Sequence, residues 1–196
     1  MNIDYIVNRI FTSRTYILSK DRNNRIWLVD CGDIERVFEM YPDKIIEGVL
    51  LTHTHSDHIY GLNQLFEVYP QVKLFTNEYG YEALISPQRN ISRYHTEYED
   101  IILSDRSNVD VITEGAVIDV LGERCEVFEV PGHDPSCLCF RIGSSIFTGD
   151  AYIPGVRVFT GFPFSDKQLA SNSMERILSL SSGLEIYPGH ELQSKP

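Results

Sequence analysis

Residues 51–58 read Leu51-Thr52-His53-Thr54-His55-Ser56-Asp57-His58, an apolar strand end running into four metal-capable side chains. Imidazole and carboxylate are the usual ligands of zinc and of non-haem iron. The whole chain holds only six histidines, so three this close together point to a metal site rather than a polar loop. In extended chain, His53-x-His55 places both rings on one face. Asp57 and His58, past the strand end, can then turn toward a second metal position.

With 196 residues, 42% of them hydrophobic and 23% charged, the chain fits one domain, 1–196, with a sizeable core. A net charge of −11 repels a nucleic-acid backbone, so a small molecule is the expected partner and nucleic acid is not. Met1 to Phe11 mixes polar and apolar residues, with no apolar secretory core, and nothing approaches 18 consecutive apolar residues. No membrane association and a cytoplasmic location are therefore expected. The oligomeric state is left open. Cys137-x-Cys139 has no second pair at zinc-clip spacing. Apolar residues alternate from Cys137 to Ile142, so both thiols are read as small hydrophobes on one sheet face.

Strands are expected at Tyr5–Ile10, Thr15–Ser19 and Arg25–Asp30, with Asp21–Asn24 as a hairpin turn. A short helix over Ile34–Met40 precedes the strand Gly48–Thr52, which delivers the histidines. Apolar residues at 59, 62, 65, 66 and 69 have helical spacing. A strand over Gln71–Thr76 leads to a helix capped by Asn77 and ending near Ile85. Residues 86–108 and 150–165 lack periodicity and read as functional loops. Between them run strands at Val109–Ile112, Ala116–Val120, Arg124–Val130, Cys137–Ile142 and Ser145–Phe147. Ser165 or Asp166 caps a last helix to about Leu180, and Leu184–Tyr187 is the last strand. Two β-rich halves with trailing helices suggest two sheets packed face to face with helices outside.

Three more candidate ligands follow glycine at strand ends: His133 after Val130-Pro131-Gly132, Asp150 after Phe147-Thr148-Gly149, and His190 after Tyr187-Pro188-Gly189. Glycine and proline supply turns that can aim each side chain back into a shared pocket. In order and separation, His53-x-His55-x-Asp57-His58 with His133, Asp150 and His190 resembles the metallo-β-lactamase superfamily, from Asp30 to His190. The resemblance implies an α/β (α+β) fold, a four-layer αββα sandwich. It implies two divalent ions, with zinc expected and iron or manganese as alternatives. His53, His55 and His133 would hold the first ion, Asp57, His58 and His190 the second, and Asp150 would bridge them. His95 is left as a loop residue. Asp30 reads either as the partner that orients a ligand histidine or as a structural turn residue.

True β-lactamases usually carry cysteine where Asp150 stands, and flavodiiron proteins carry glutamate where His55 stands. The segments Phe147-Thr148-Gly149-Asp150-Ala151 and Tyr187-Pro188-Gly189-His190-Glu191 are most similar to the glyoxalase II (hydroxyacylglutathione hydrolase) branch. Glyoxalase II proper has a further helical domain after this point, whereas six residues follow His190 here. Its Gly-Cys-Gly-Arg stretch is replaced by Ile153-Pro154-Gly155-Val156-Arg157. The expectation is a short glyoxalase-II-like hydrolase that uses a metal-bridging hydroxide on a small thioester or ester. Asp57 would orient the nucleophile and take its proton. Arg93, Tyr94, Tyr152 and Arg157 are candidate substrate contacts, because a guanidinium can clamp a carboxylate. Two alternatives remain: a persulfide-dioxygenase-like enzyme with one iron on His53, His133 and Asp150, and a non-catalytic metal-binding domain.

Overall fold

Strand β2 (Arg14–Ser19) shows how the layers arise. Tyr16 and Leu18 pack between two sheets, whereas Ile17 between them packs against helices on the outer side. That period of two is what a strand buried on both faces requires. In the computed structural model, which describes residues 1–96 and 98–190, β1 (Asn2–Val7), β2, β3 (Arg25–Val29), β4 (Ile45–Leu50), β5 (Lys73–Thr76) and β6 (Val109–Val111) form one sheet in that order. The second sheet runs β11-β10-β9-β8-β7, from β7 (Val117–Val120), β8 (Glu123–Glu129), β9 (Leu138–Ile142), β10 (Ser145–Gly149) and β11 (Glu185–Pro188).

The layer between the sheets joins Leu18, Val29 and Leu50 of the first to Val127, Phe140 and Phe147 of the second. Helices α1 (Ile34–Met40) and α3 (Leu62–Val68) cover the outer face of the first sheet with Val37, Leu62 and Leu65. Helix α5 (Lys167–Leu180) covers the second, setting Ile177 against Cys137, Cys139 and Ile146. Each fully buried side chain of this size stabilises by about 1.5–3 kcal/mol. The order of layers is α, β, β, α, as expected. Cys137 and Cys139 lie on one face as buried free thiols. Among the described residues no helix is long and apolar enough to cross a membrane.

Two expected elements differ. The first strand is Asn2–Val7 instead of Tyr5–Ile10, because Asn8 turns the chain by donating its N–H to the carbonyl of Ser13. The expected helix over Ile59–Tyr69 is two pieces, α2 (Ser56–Ile59) and α3. Gly61 separates them, its N–H bound to the carbonyl of Cys31 and its α-carbon packed against the carbonyl of Gly32. The apolar spacing was correct, but the close approach of a second chain segment broke the helix. Helix α4 (Glu78–Ala83) is capped by the Asn77 side chain, and α5 by Asp166, whose Oδ1 accepts from the N–H of Leu169.

Candidate metal centre

All seven candidate ligands lie beyond the C-terminal ends of strands, at one edge of the sandwich. His53 and His55 follow β4, Asp57 and His58 sit in α2, and His133, Asp150 and His190 follow β8, β10 and β11. Two of the late turns need glycine. Gly132 has φ 135°, and a Cβ there would overlap the backbone of Ala170 at the start of α5. At Gly189 a Cβ would overlap the Asp150 carboxylate. Absence of a side chain is therefore what lets His133 and His190 reach the pocket.

The ligand atoms of His53, His55 and His133 lie within 4.8 Å of one another, as do those of Asp57, His58 and His190, and of His53, His58 and Asp150. The other ring nitrogens face polar partners. Nδ1 of His133 donates to the carbonyl of Phe159 at 2.8 Å, and Nδ1 of His190 to the carbonyl of Phe11 at 2.9 Å. Nδ1 of His58 lies 2.9 Å from Oδ2 of Asp30, Nε2 of His55 lies 3.4 Å from Oδ2 of Asp134, and Nδ1 of His53 lies 3.2 Å from Oγ1 of Thr52. A carbonyl can only accept, so His133 and His190 carry their proton on Nδ1 and turn Nε2 inward.

The inward atoms fit a metal ion. Nε2 of His133 lies 3.0 Å from Nδ1 of His55, two ring nitrogens turned toward each other inside the cluster. Nε2 of His53 and Oδ1 of Asp150 are buried with no hydrogen-bond partner. Groups left so at depth are costly unless a cation satisfies them. Burial and its neighbouring histidines hold His53 neutral, well below the usual imidazole range. On the other side the pocket demands positive charge. Burial opposes it, but Asp57, Asp30 and Asp150 push His58 up to about 9. Burial likewise opposes protonation of His190, yet Asp150 and Asp57 push it up to about 11. Those protons stand where a metal cation would bind. The cluster is able to bind metal.

Asp30 proves to be the orienting partner that the sequence left undecided, at φ 62° at the end of β3. It is 1% exposed, its Oδ1 accepting from Thr52 N and its Oδ2 from Thr52 Oγ1, each at 2.7 Å. Asp134 was missed. Its one sequence signal was position, directly after His133 and before Pro135-Ser136, where Oδ1 accepts from the N–H of Ser136 at 2.8 Å.

A cavity of about 260 Å³ opens over the ligands, lined by Phe11, Ile91, His95, Phe159 and Phe162 besides the ligand side chains. His95, read as a plain loop residue, stands in that wall with its ring 4.8 Å from the ring of Phe11. The four expected substrate contacts are not among the lining residues. Arg93 is exposed and paired with Asp100, its Nε 2.9 Å from Oδ2, and the Tyr94 ring is exposed. Tyr152 packs against the cluster under α5. Arg157 borders a separate space of about 70 Å³ that touches His133 and Asp150.

The metallo-beta-lactamase superfamily model matches residues 23–190. A hydroxyacylglutathione hydrolase from Hydrogenovibrio crunogenus is 24% identical over 184 residues, covering 90% of this chain and 58% of its own length. The chain thus spans little more than half of that relative. The BLEG-1 B3 metallo-beta-lactamase structure matches with a TM-score of 0.88 at 21% identity, covering 97% of this chain and 92% of that one. A structure of TTHA1623 in a di-iron-bound form matches with a TM-score of 0.79 at 22% identity, covering 96% and 92%. Both likenesses concern the fold. With a family model spanning nearly its whole length and the family's ligand set gathered at one sheet edge, this chain belongs to the metallo-beta-lactamase superfamily.

Proposed function

We propose that the chain is a hydrolase of small thioesters or esters that works with two metal ions. His53, His55 and His133 would hold one ion and Asp57, His58 and His190 the other, with Asp150 within reach of both; zinc is the ion proposed, with iron or manganese as alternatives. One observation carries this reading: Oδ2 of Asp150 lies 3.7 Å from Nε2 of His133 and 3.2 Å from Nε2 of His190, one member of each triad. Two ions, when bound, lower the pKa of a shared water toward neutrality and polarise a substrate carbonyl.

The chain's own groups do the rest. Asp57 lines the cavity, with Oδ2 3.3 Å from Nε2 of both His58 and His190. Burial works against its ionisation, but the His58 charge and the His190 hydrogen bond hold its carboxyl below the usual range. It is therefore an ionised acceptor at neutral pH, placed to orient a water and take its proton. Phe159 and Phe11, through their carbonyls, keep the His133 and His190 rings in one tautomer. The relative named hydroxyacylglutathione hydrolase supports hydrolysis of an acyl conjugate.

Elemental analysis of the purified protein, followed by assays on lactoylglutathione, simpler thioesters, a homoserine lactone and bis-p-nitrophenyl phosphate, tests the reading. The expected outcome is about two zinc ions per chain with acyl hydrolysis, both lost in Asp150→Ala. A single iron with oxygen uptake on a persulfide would replace it with the dioxygenase reading. A fully metallated protein that turns over none of these compounds would leave a metal-binding domain.

A further inference from the structure

Five residues wall the cavity beside the ligands, the apolar Phe11, Ile91, Phe159 and Phe162 together with His95. Two of them are held in the left-handed region, Phe11 at φ 50° and Ile91 at φ 60°. For a β-branched or bulky residue that conformation is a genuine outlier and costs on the order of 1–3 kcal/mol. Such strain persists only where the surroundings over-determine it. Phe11 and Phe159 are also the residues whose carbonyls fix His190 and His133. The backbone that sets the ligand rings therefore holds two phenyl rings at the mouth, and Phe11 and Phe159 are 47% and 56% exposed. Among the described residues no lysine or arginine lines this cavity.

We infer that this wall selects the acyl half of the substrate, which is an apolar acyl group on an uncharged thiol or alcohol, and that an anionic peptide thiol is disfavoured. This rests on the hydrolase reading above. A cavity of about 260 Å³ has room for a hexanoyl or benzoyl group against these rings. A carboxylate of the leaving thiol would meet aromatic rings and His95 there, with no lysine or arginine among the described lining residues to pair with it. Arg157 borders two other spaces, one of about 70 Å³ that touches His133 and Asp150 and one of about 230 Å³ beside α5. In the reaction, water oxygen bonds to the acyl carbon, the C–S bond breaks with its electron pair going to sulfur, and the thiolate takes the water's proton. The products are a carboxylic acid and a thiol.

The test uses the metallated full chain and acetyl, butanoyl, hexanoyl and benzoyl thioesters of N-acetylcysteamine, which is neutral, and of glutathione, which is anionic. kcat/KM should rise at least tenfold from acetyl to hexanoyl or benzoyl on the neutral thiol, and glutathione should give no advantage. Phe159→Ala and Phe11→Leu should flatten the acyl series through KM while metal content stays unchanged. Arg157→Gln should leave the neutral series unaltered. A flat series, or a tenfold preference for glutathione that Arg157→Gln removes, overturns the inference and leaves the hydrolase reading standing. With no turnover at all the hydrolase reading falls. Calorimetry with the hexanoyl and acetyl amides of cysteamine then decides the wall alone, and equal affinities would overturn it.

Discussion

Asp30 and His58 meet at 2.9 Å between Oδ2 and Nδ1, in a pair fully buried behind the ligand cluster. Burial raises the Asp30 carboxyl, while His58 and Thr52 pull against that rise. The contact places the His58 proton on Nδ1 and aims Nε2 inward. Partners of this kind typically contribute 10–100-fold to metal affinity. In Asp30→Asn an amide replaces the acceptor, so the second ion should bind about 10–100-fold more weakly. Metal content after dialysis against graded chelator reads this directly. Equal retention of both ions by the variant would remove Asp30 from that role.

Removal of metal should cost global stability as well as activity. Chelation leaves the His133 and His55 nitrogens facing each other at 3.0 Å with nothing between. A ligand at a thousandfold excess over its dissociation constant adds about 4 kcal/mol per site. For a chain of this size that corresponds to about 8–16 °C in Tm per site. Scanning calorimetry before and after chelation, then with zinc restored, should show a reversible drop of this size. An unchanged Tm would mean that the folded protein does not hold the ions.

Acid sensitivity should trace partly to Asp33, which is remote from the ligands. Its oxygens accept from Arg9 N at 2.8 Å, from Arg9 Nε at 2.9 Å and from the Tyr60 hydroxyl at 2.7 Å. Burial opposes ionisation, but Tyr60 and Arg9 hold this carboxyl below the usual range. A depressed carboxyl adds stability above its unfolded value of about 3.9 and loses it as pH falls through the lower folded value. Asp33→Asn should therefore be destabilised by about 1–3 kcal/mol at neutral pH. The gap should close as pH falls below the unfolded value and through the lower folded one. Urea midpoints across that range check it, and a gap constant with pH would assign the loss to shape rather than charge.

The gathering of the seven candidate ligands was legible because each stands in a local signature, crowded histidines or a glycine directly before it, that needs no knowledge of the fold. The layers were legible for the same reason: Tyr16, Ile17 and Leu18 alternate between two buried faces. The wall of the cavity was not. Phe11, Ile91, His95, Phe159 and Phe162 come from three loops with no shared period, and the left-handed turns at Phe11 and Ile91 lack the glycine that would have flagged them. Of the arginines and tyrosines chosen from those loops, Arg157 borders a space that touches His133 and Asp150, and none of the four lines the main cavity, because side-chain direction in a loop is set by tertiary contacts. Gly61 was silent too, since only the carbonyl of Gly32 against it explains the break between α2 and α3.

Two glycines with positive φ separate backbone strain from close packing. At Gly143, φ 58°, nothing lies within 4 Å of where a Cβ would stand. Gly143→Ala should therefore cost only the left-handed penalty, about 1–2 kcal/mol. Gly132, φ 135°, is different because the Cβ would overlap the backbone N and Cα of Ala170, which cannot rotate away as a side chain could. Relief requires either α5 or the His133 turn to move, and Asp166 N–H is bonded to the carbonyl of Gly132 at 2.8 Å, which ties the two together. Gly132→Ala should accordingly cost more than Gly143→Ala in urea denaturation and should also weaken metal binding through His133, which Gly143→Ala should leave intact. Equal costs in the two variants, with metal content unaffected in both, would show that the turn yields freely and that its contact with α5 does not position the ligand.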